Sequence, residues 1–288
     1  MKNLKSNDLK VRILEKGAEL TSITNLSTQT EYLWQADPTF WGRKAPVLFP
    51  IVGLLNNNHF TYQGRSYDMK QHGFARDMNF EVLKETDNSI RFALRSKGKT
   101  TKQFPFHFAL QIEYTLVEKT LTVTYRVINP FLEDLYFSIG GHPGFNCPIQ
   151  EGEKRSDYQL VFNEKETTST QLIVDGLRNG ETQTVLDNEN TIALTDELFD
   201  NDALILSNLK SNTVSLQKGD TKFWTFDFSG FPYLGIWSKN RKSPFVCIEP
   251  WFGIADKVGQ DPDFTKKEGV IKLKPSEVFE CSYTIEFH

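Results

Sequence analysis

Cysteine is scarce in this sequence, and its placement is uninformative as a scaffold. Cys147, Cys247 and Cys281 are three in 288 residues with no CxxC spacing, which excludes a disulfide framework and argues against a zinc site. Reduced thiols are expected. An excess of positive charge is also lacking: 33 Lys and Arg stand against 37 Asp and Glu, for a net charge of -4. No run of basic residues is longer than two, so nucleic acid and an anionic membrane surface are not expected partners. No apolar stretch approaches the roughly 18 residues of a membrane span, and no apolar h-region follows the charged opening MKNLKSNDLK. The expected location is the cytoplasm. The signatures GxSxG, P-loop, GxGxxG, HxH and HExxH are missing too, which removes the usual marks of a serine hydrolase elbow, a nucleotide site or a zinc hydrolase. What remains is acid and base chemistry on a small neutral ligand, with neither cofactor nor metal.

The chain is rich in phenylalanine, with 23, and in apolar residues spaced two apart. In FHFALQIEYTLVEKTLTVTYRV, Phe106, Phe108, Leu110, Ile112, Tyr114 and Leu116 alternate with other residues, and Leu121, Val123, Tyr125 and Val127 repeat the pattern. That spacing predicts a long antiparallel hairpin turning at Glu118-Lys119-Thr120. The same period appears in Phe80 and Val82 with Ile90, Phe92 and Leu94, and again from Phe279 to Phe287. There is no comparable helical stripe. The fold class read from this is an all-β antiparallel sandwich with interdigitating inner faces, and residues 1–288 read as one domain because no linker, repeat or low-complexity block divides them. The polar stretch from NEKETTSTQ to LDNENT reads as loops and edge strands.

Three polar clusters interrupt the apolar scaffold: QHGFAR (71–76), GGHPGFNCP (140–148) and CIEPWFG (247–253). Glu249 follows the buried-strand pattern Phe245-Val246-Cys247-Ile248. A carboxylate there is partly desolvated, which raises its pKa and makes it a usable base near neutrality. A strand-end glutamate paired with an arginine is the alternative. His142 taken alone reads first as a turn residue bonded to its neighbours, and His72 and Arg76 are open to structural readings as well. His107, on the face opposite Phe106 and Phe108, is structural; His59 and His288 are exposed. Cys147, close to His142 in sequence, has no orienting partner for a Cys/His couple.

Set in order, these clusters resemble the aldose 1-epimerase (mutarotase) family, and in particular its lactose-operon-associated, galactose mutarotase-like branch. The resemblance runs along nearly the whole chain, through LKVRILEKGAELTSI, APVLFPIVG, QHGFAR, FPFHFALQIEYTL, GGHPGFNCP, LFDNDALIL, FPYLGIWSK, CIEPWFGIAD and KEGVIKLKPSE. It implies an antiparallel β-supersandwich that interconverts the α and β anomers of a hexose. It also implies residue roles. The GGHP histidine, His142, corresponds to the general acid that protonates the ring oxygen, and Glu249 to the general base at the anomeric hydroxyl. His72 corresponds to a second histidine near the ring oxygen, Asp202 to an aspartate that holds sugar hydroxyls, and Arg76 to a hydroxyl or anion contact. Opening a hemiacetal needs one proton removed and another delivered, each worth about 10²–10⁴ in rate. The apolar faces of a sugar ring favour aromatic walls, for which Phe74, Trp237 and Trp251 are the candidates; core packing is the other reading, with equal claim at Trp237.

One position departs from the pattern. Many relatives carry an arginine after the FPxxG motif, whereas here Leu54 follows Gly53, replacing five fixed donors with none. Either Arg76 or Arg43 takes that place, or the substrate is not galactose or glucose. A hexose 6-phosphate would need several basic groups to converge, with Arg43, Lys44 and Arg76 as candidates. A carbohydrate-binding protein without turnover would not need both His142 and Glu249. A glycoside hydrolase using Glu249 and Asp202 would leave the histidines unexplained.

Overall fold

Period-two alternation of apolar residues produces strands throughout. The computed structural model describes residues 1–288, apart from the Lys99 side chain. A nine-stranded antiparallel sheet runs in the order Leu177–Ala193, Gln159–Val174, Thr213–Lys218, Thr221–Asp227, Val278–Phe287, Thr120–Ile128, Ala109–Val117, Ser89–Arg95 and Glu81–Glu85. The predicted hairpin is its centre, with Val117 paired to Thr120 across the turn. A six-stranded sheet packs against it in the order Leu204–Ser207, Tyr233–Trp237, Phe245–Phe252, Ile139–Gly141 and Val47–Leu48, with Gly144–Asn146 also paired to Phe245–Phe252. The main core lies between the two. Ile112, Val123, Tyr125 and Phe226 from the first sheet join Phe145, Ile236, Val246 and Ile248 from the second. No helix among the described residues is long and apolar enough to cross a membrane.

The strand Phe245–Phe252 is buried along nearly its whole length but uses its two faces differently. Val246 and Ile248 enter the core. Successive side chains alternate across a strand, so Cys247, Glu249 and Trp251 point the other way, onto the face that carries the cleft.

The polar stretch expected as loops and edge strands does contain an edge strand, Leu177–Ala193, but in place of loops it is one continuous hairpin, with strands of 16 and 17 residues. Only Gln159–Phe162 pair with the neighbouring Thr213–Lys218 strand. Beyond them the hairpin runs beside Leu204–Ser207, where Ile205 N–H donates to Thr170 Oγ1 at 2.7 Å. Several bulges interrupt its register. Solvent reaches much of both its faces, so its sequence shows no clean alternation.

Gly73 is a position where backbone conformation decides the residue. Its φ is +71°, and a Cβ there would lie 2.2 Å from the Phe49 carbonyl oxygen. Gly64 has a similar φ of +73° with nothing within 4 Å. Gly73→Ala is expected to cost more than about 2 kcal/mol in urea unfolding, whereas Gly64→Ala should cost only about 1 kcal/mol, the left-handed penalty without a clash. Equal losses would show that the close approach at Gly73 is unimportant.

Candidate active site

The segment containing His142 is a break in a strand whose register continues on both sides of it. Gly140 pairs with Trp251 before the break, and Gly144 pairs with Cys247 after it. The same antiparallel register carried through the gap sets His142 directly across from Glu249. Ile248 N–H donates to the Pro143 carbonyl at 3.2 Å, which keeps the two strands together there. Directly opposed side chains start only about 4.5–5.5 Å apart at Cβ, and His142 Nε2 lies 3.2 Å from Glu249 Oε2.

Neither glycine of GGHP has a positive φ; both provide room instead. A Cβ on Gly140 would lie 2.7 Å from Trp251 Cδ1, and one on Gly235, across the other edge of the strand, 2.4 Å from Trp251 Cζ2. The indole therefore lies flat along the sheet beside Glu249. On the opposite face, Gly141 makes space for the Tyr125 and Tyr283 rings. The glycines of this motif admit aromatic side chains.

These residues floor a cleft of about 730 Å³. His72, Arg76, Asp202, Trp237 and Trp251 all line it with His142 and Glu249. His72 adopts a φ of +65°. Gly53 N–H donates to its Nδ1 at 3.1 Å, leaving the ring proton on Nε2. Its ring meets that of His142 edge-on, with centroids 5.6 Å apart. Arg76 donates from Nη2 to the Gln71 carbonyl at 2.6 Å. Asp202, also left-handed at φ +73°, accepts from Ala203 N–H at 2.7 Å. Trp237 satisfies both of its readings, since it lines the cleft and packs against Phe245 at 5.7 Å.

Phe74 does not line the cleft. The turn at His72 and Gly73 directs it inward, where it packs against Phe104 and Phe108 in the main core. Lys44 is also elsewhere, its ammonium donating to Thr21 O and Gln35 Oε1. The cleft contains instead an aromatic that sequence reasoning missed. Trp41 stacks on His142 with centroids 4.7 Å apart and planes 24° apart. Its loop is formed by Asp37, whose carbonyl accepts from the N–H groups of Phe40 and Trp41, while Trp34 Nε1 donates to the Trp41 carbonyl at 2.8 Å. The available signal was two aromatics, Phe40-Trp41, placed in a turn-rich Asp-Pro stretch rather than in a strand.

Burial dominates the electrostatics. It pushes the Glu249 carboxyl well above the carboxylate range, and the nearby Asp202 charge adds to this. The Trp251 indole N–H draws it partly back without forming a well-aligned hydrogen bond. Burial, with the Arg76 and Arg43 charges, lowers His142 to about 3. His72 is held well below the histidine range by burial, His142 and the same arginines. The cleft is thus polarised, with guanidinium groups acting on the histidines and Asp202 acting on Glu249.

The third group close to the pair is Cys247, not the sequence-near Cys147. One potential ligand atom from each of His142, Cys247 and Glu249 lies within 4.8 Å of the others. Burial and the Glu249 charge keep the Cys247 thiol protonated, and a thiol is a poor metal ligand. Proton transfer suits this cluster better than metal binding.

A family model described as Aldose 1-epimerase matches residues 3–267. Protein LacX, chromosomal, from Lactococcus lactis subsp. lactis is 36% identical over 292 residues, covering 98% of this chain and 97% of that protein. A galactose mutarotase related enzyme from Lactobacillus acidophilus superposes with a TM-score of 0.95 at 38% identity, over 100% of this chain and 97% of its own. A galactose mutarotase-like protein from Lactobacillus casei ATCC 334 gives a TM-score of 0.93 at 33% identity over 100% of both chains.

The lowered pKa values of His72 and His142 imply that both rings stay neutral between pH 5 and about 8 in the free protein. Side-chain NMR of ¹⁵N-histidine protein, assigned by His72→Gln and His142→Asn, should show neither titrating in that interval. A midpoint near 6.5 for either would contradict the burial argument.

Proposed function

The chain belongs to the aldose 1-epimerase family, and we propose that it interconverts the α and β anomers of a neutral hexose, with His142 as acid and Glu249 as base. The observation that carries this reading is the cross-strand pair: an imidazole and a carboxyl 3.2 Å apart, both buried, at the floor of a cleft with aromatic walls.

Burial disfavours a second proton on the pair, which would charge His142, and equally the loss of its only proton, which would leave a bare carboxylate on Glu249. The two groups therefore hold one proton between them. Without substrate the proton rests on Glu249. When a sugar presents its ring oxygen to His142 and its anomeric hydroxyl to Glu249, the charged arrangement of imidazolium and carboxylate gains partners, and the face of Trp41 favours the imidazolium. His142 then protonates the ring oxygen as the C1–O5 bond breaks. Glu249 takes the anomeric hydroxyl proton, and the aldehyde forms. Rotation about C1–C2 presents the other face of the carbonyl, and the reverse transfers close the ring as the opposite anomer. His72 Nε2–H supports the ring oxygen, Asp202 accepts from sugar hydroxyls, and Trp237 and Trp251 contact the apolar face of the ring. No electron transfer is involved, and the proton count is restored after each turnover.

A hexose 6-phosphate is the second reading, favoured by the presence of Arg43, Arg76 and Lys239 in the cleft lining. Against it, Arg43 is paired with Asp77 at 2.9 Å, and Asp175, Asp200 and Asp202 line the same space. The balance supports a neutral sugar.

Polarimetry on freshly dissolved α-galactose, α-glucose and their 6-phosphates tests both readings. The expected result is faster interconversion of a free hexose, with kcat/KM reduced about 10²–10⁴-fold by His142→Asn and by Glu249→Gln. Preference for a phosphorylated sugar would select the second reading. Full activity in both variants would overturn the assigned roles, and no acceleration of any aldose would leave a sugar-binding protein.

The pH dependence has a defined sign. Acidification adds a second proton and silences the base, but only as pH falls toward the depressed His142 value of about 3. Alkali removes the shared proton and silences the acid, at a pH well above the ordinary carboxyl value of 4.5. The profile of kcat/KM should be a broad bell whose acid limb lies far below 6.5. A narrow bell with its acid limb at the ordinary histidine value would rule out the shared, buried proton.

A further inference from the structure

The tip of the long polar hairpin forms a wall of the cleft beside Leu54. Ile173, Asp175 and Gly176 line the cleft together with Leu54. The tip is a tight turn: Val174 pairs with Leu177, and the two residues between them, Asp175 and Gly176, have φ of +51° and +81°. Gly176 sits directly on Leu54, close enough that a Cβ would lie 3.0 Å from Leu54 Cδ2. Leu54 therefore supports the tip rather than reaching toward a ligand.

A two-residue tip on so polar a hairpin would be mobile if nothing anchored it. Arg178 supplies the anchor and is only 1% exposed. Its Nε donates to the Ala255 carbonyl at 2.7 Å, Nη1 to Gln171 Oε1 at 2.8 Å, and Nη1 and Nη2 to the two Glu268 oxygens at 3.0 and 2.9 Å. Its backbone N–H donates to Asp256 O, and its carbonyl accepts from Val258 N–H, each at 2.9 Å. Asp256 is itself fixed, with one oxygen on Lys267 Nζ at 2.7 Å, the other accepting from Asn56 N–H at 3.0 Å, and its own N–H donating to Leu54 O at 2.9 Å. Guanidinium, carboxylates and backbone thus bind the tip to the segment from Ala255 to Val258 and to Glu268, and through Asp256 to Leu54 and Asn56. The bidentate Arg178–Glu268 pair adds direction to strength.

Among the described residues no donor hydrogen-bonds to the Asp175 carboxylate, in contrast to Asp200, which is held by Arg241. An anchored tip therefore presents an unengaged, acceptor-only group to the cleft. We infer that Asp175 is a hydroxyl-binding residue that selects the substrate, and that Arg178 is the positioning residue that holds it in place. An acceptor favours a sugar whose far end carries free hydroxyls and repels one that carries phosphate. This inference rests on the proposed sugar chemistry and narrows it to unphosphorylated aldoses.

The test combines turnover with binding followed by tryptophan fluorescence, which Trp41, Trp237 and Trp251 in the cleft should report. Because binding is read without turnover, failure of the catalytic reading and failure of this one are distinguishable. With the preferred aldose, Asp175→Asn and Asp175→Ala should raise KM and Kd about tenfold while leaving kcat within about twofold. Arg178→Lys, which keeps the charge but loses the fork, should raise KM in the same way, and combining it with Asp175→Ala should add nothing further. Such non-additivity marks a residue acting through another; a purely structural role would lower stability and combine additively. The inference is overturned if both Asp175 variants bind and discriminate sugars as the wild type does, or if the Arg178→Lys and Asp175→Ala effects on KM are additive.

Discussion

The candidate site depends on one antiparallel register. The strand Phe245–Phe252 pairs with Ile139–Gly141 and with Gly144–Asn146 in a single alignment, so His142 and Glu249 meet as cross-strand neighbours although more than a hundred residues separate them. A slip of one residue would turn Glu249 into the core and bring Ile248 to the cleft. The register is held by Val246 and Ile248 on the core face, by Phe145 against Trp224 and Phe226 of the other sheet, and by the glycines that admit the Trp251 indole. Hydrophobic packing on one face of the sheet thereby sets the spacing of the His142–Glu249 pair on the other.

Burial gives this geometry its chemical character. In water, neutral pH would leave glutamate ionised and histidine mostly neutral, each independent of the other. Here both are buried and 3.2 Å apart, and burial lowers the histidine and raises the carboxyl, which favours the neutral form of each. Arg43 and Arg76 act on the histidine side and Asp202 on the carboxyl side. In the proposed reaction, a sugar that offers a ring oxygen to one group and a hydroxyl to the other replaces the solvation both have lost. Under the proposed chemistry the core serves the pair as well as stability, because it keeps both groups buried.

Much of the fold could be read in advance, for a definite reason. The central hairpin and the strands around Phe92 and Tyr283 are half-buried, and half-burial writes period-two alternation into the sequence. The hairpin through residues 159–193 has no such face, so its polar sequence reads as loops and edge strands. Glu249 stood out because a carboxylate following four buried-strand residues is costly, and His142, His72, Arg76 and Asp202 because their motifs resemble the family's in order and spacing. Trp41 and Asp175 gave weaker signs: each lies in a turn whose sequence specifies its local conformation, but not which distant surface it will face. Phe74 failed for a related reason. Its neighbours lead into the cleft, but a left-handed turn at His72 and Gly73 sends it the other way.

The sequence by itself determined the all-β class, the lack of a basic excess and of any long apolar run, and the residue types able to carry acid and base chemistry. These are local properties, recorded by alternation, composition and motif. Tertiary structure decided that Cys247 rather than Cys147 stands beside the histidine, that Trp41 covers it, that the GGHP glycines make room for aromatics, and that a polar hairpin completes the cleft over Leu54. Such contacts join segments far apart in the chain. They follow from how two sheets pack and where an anchored hairpin ends, and no short window of sequence contains both partners.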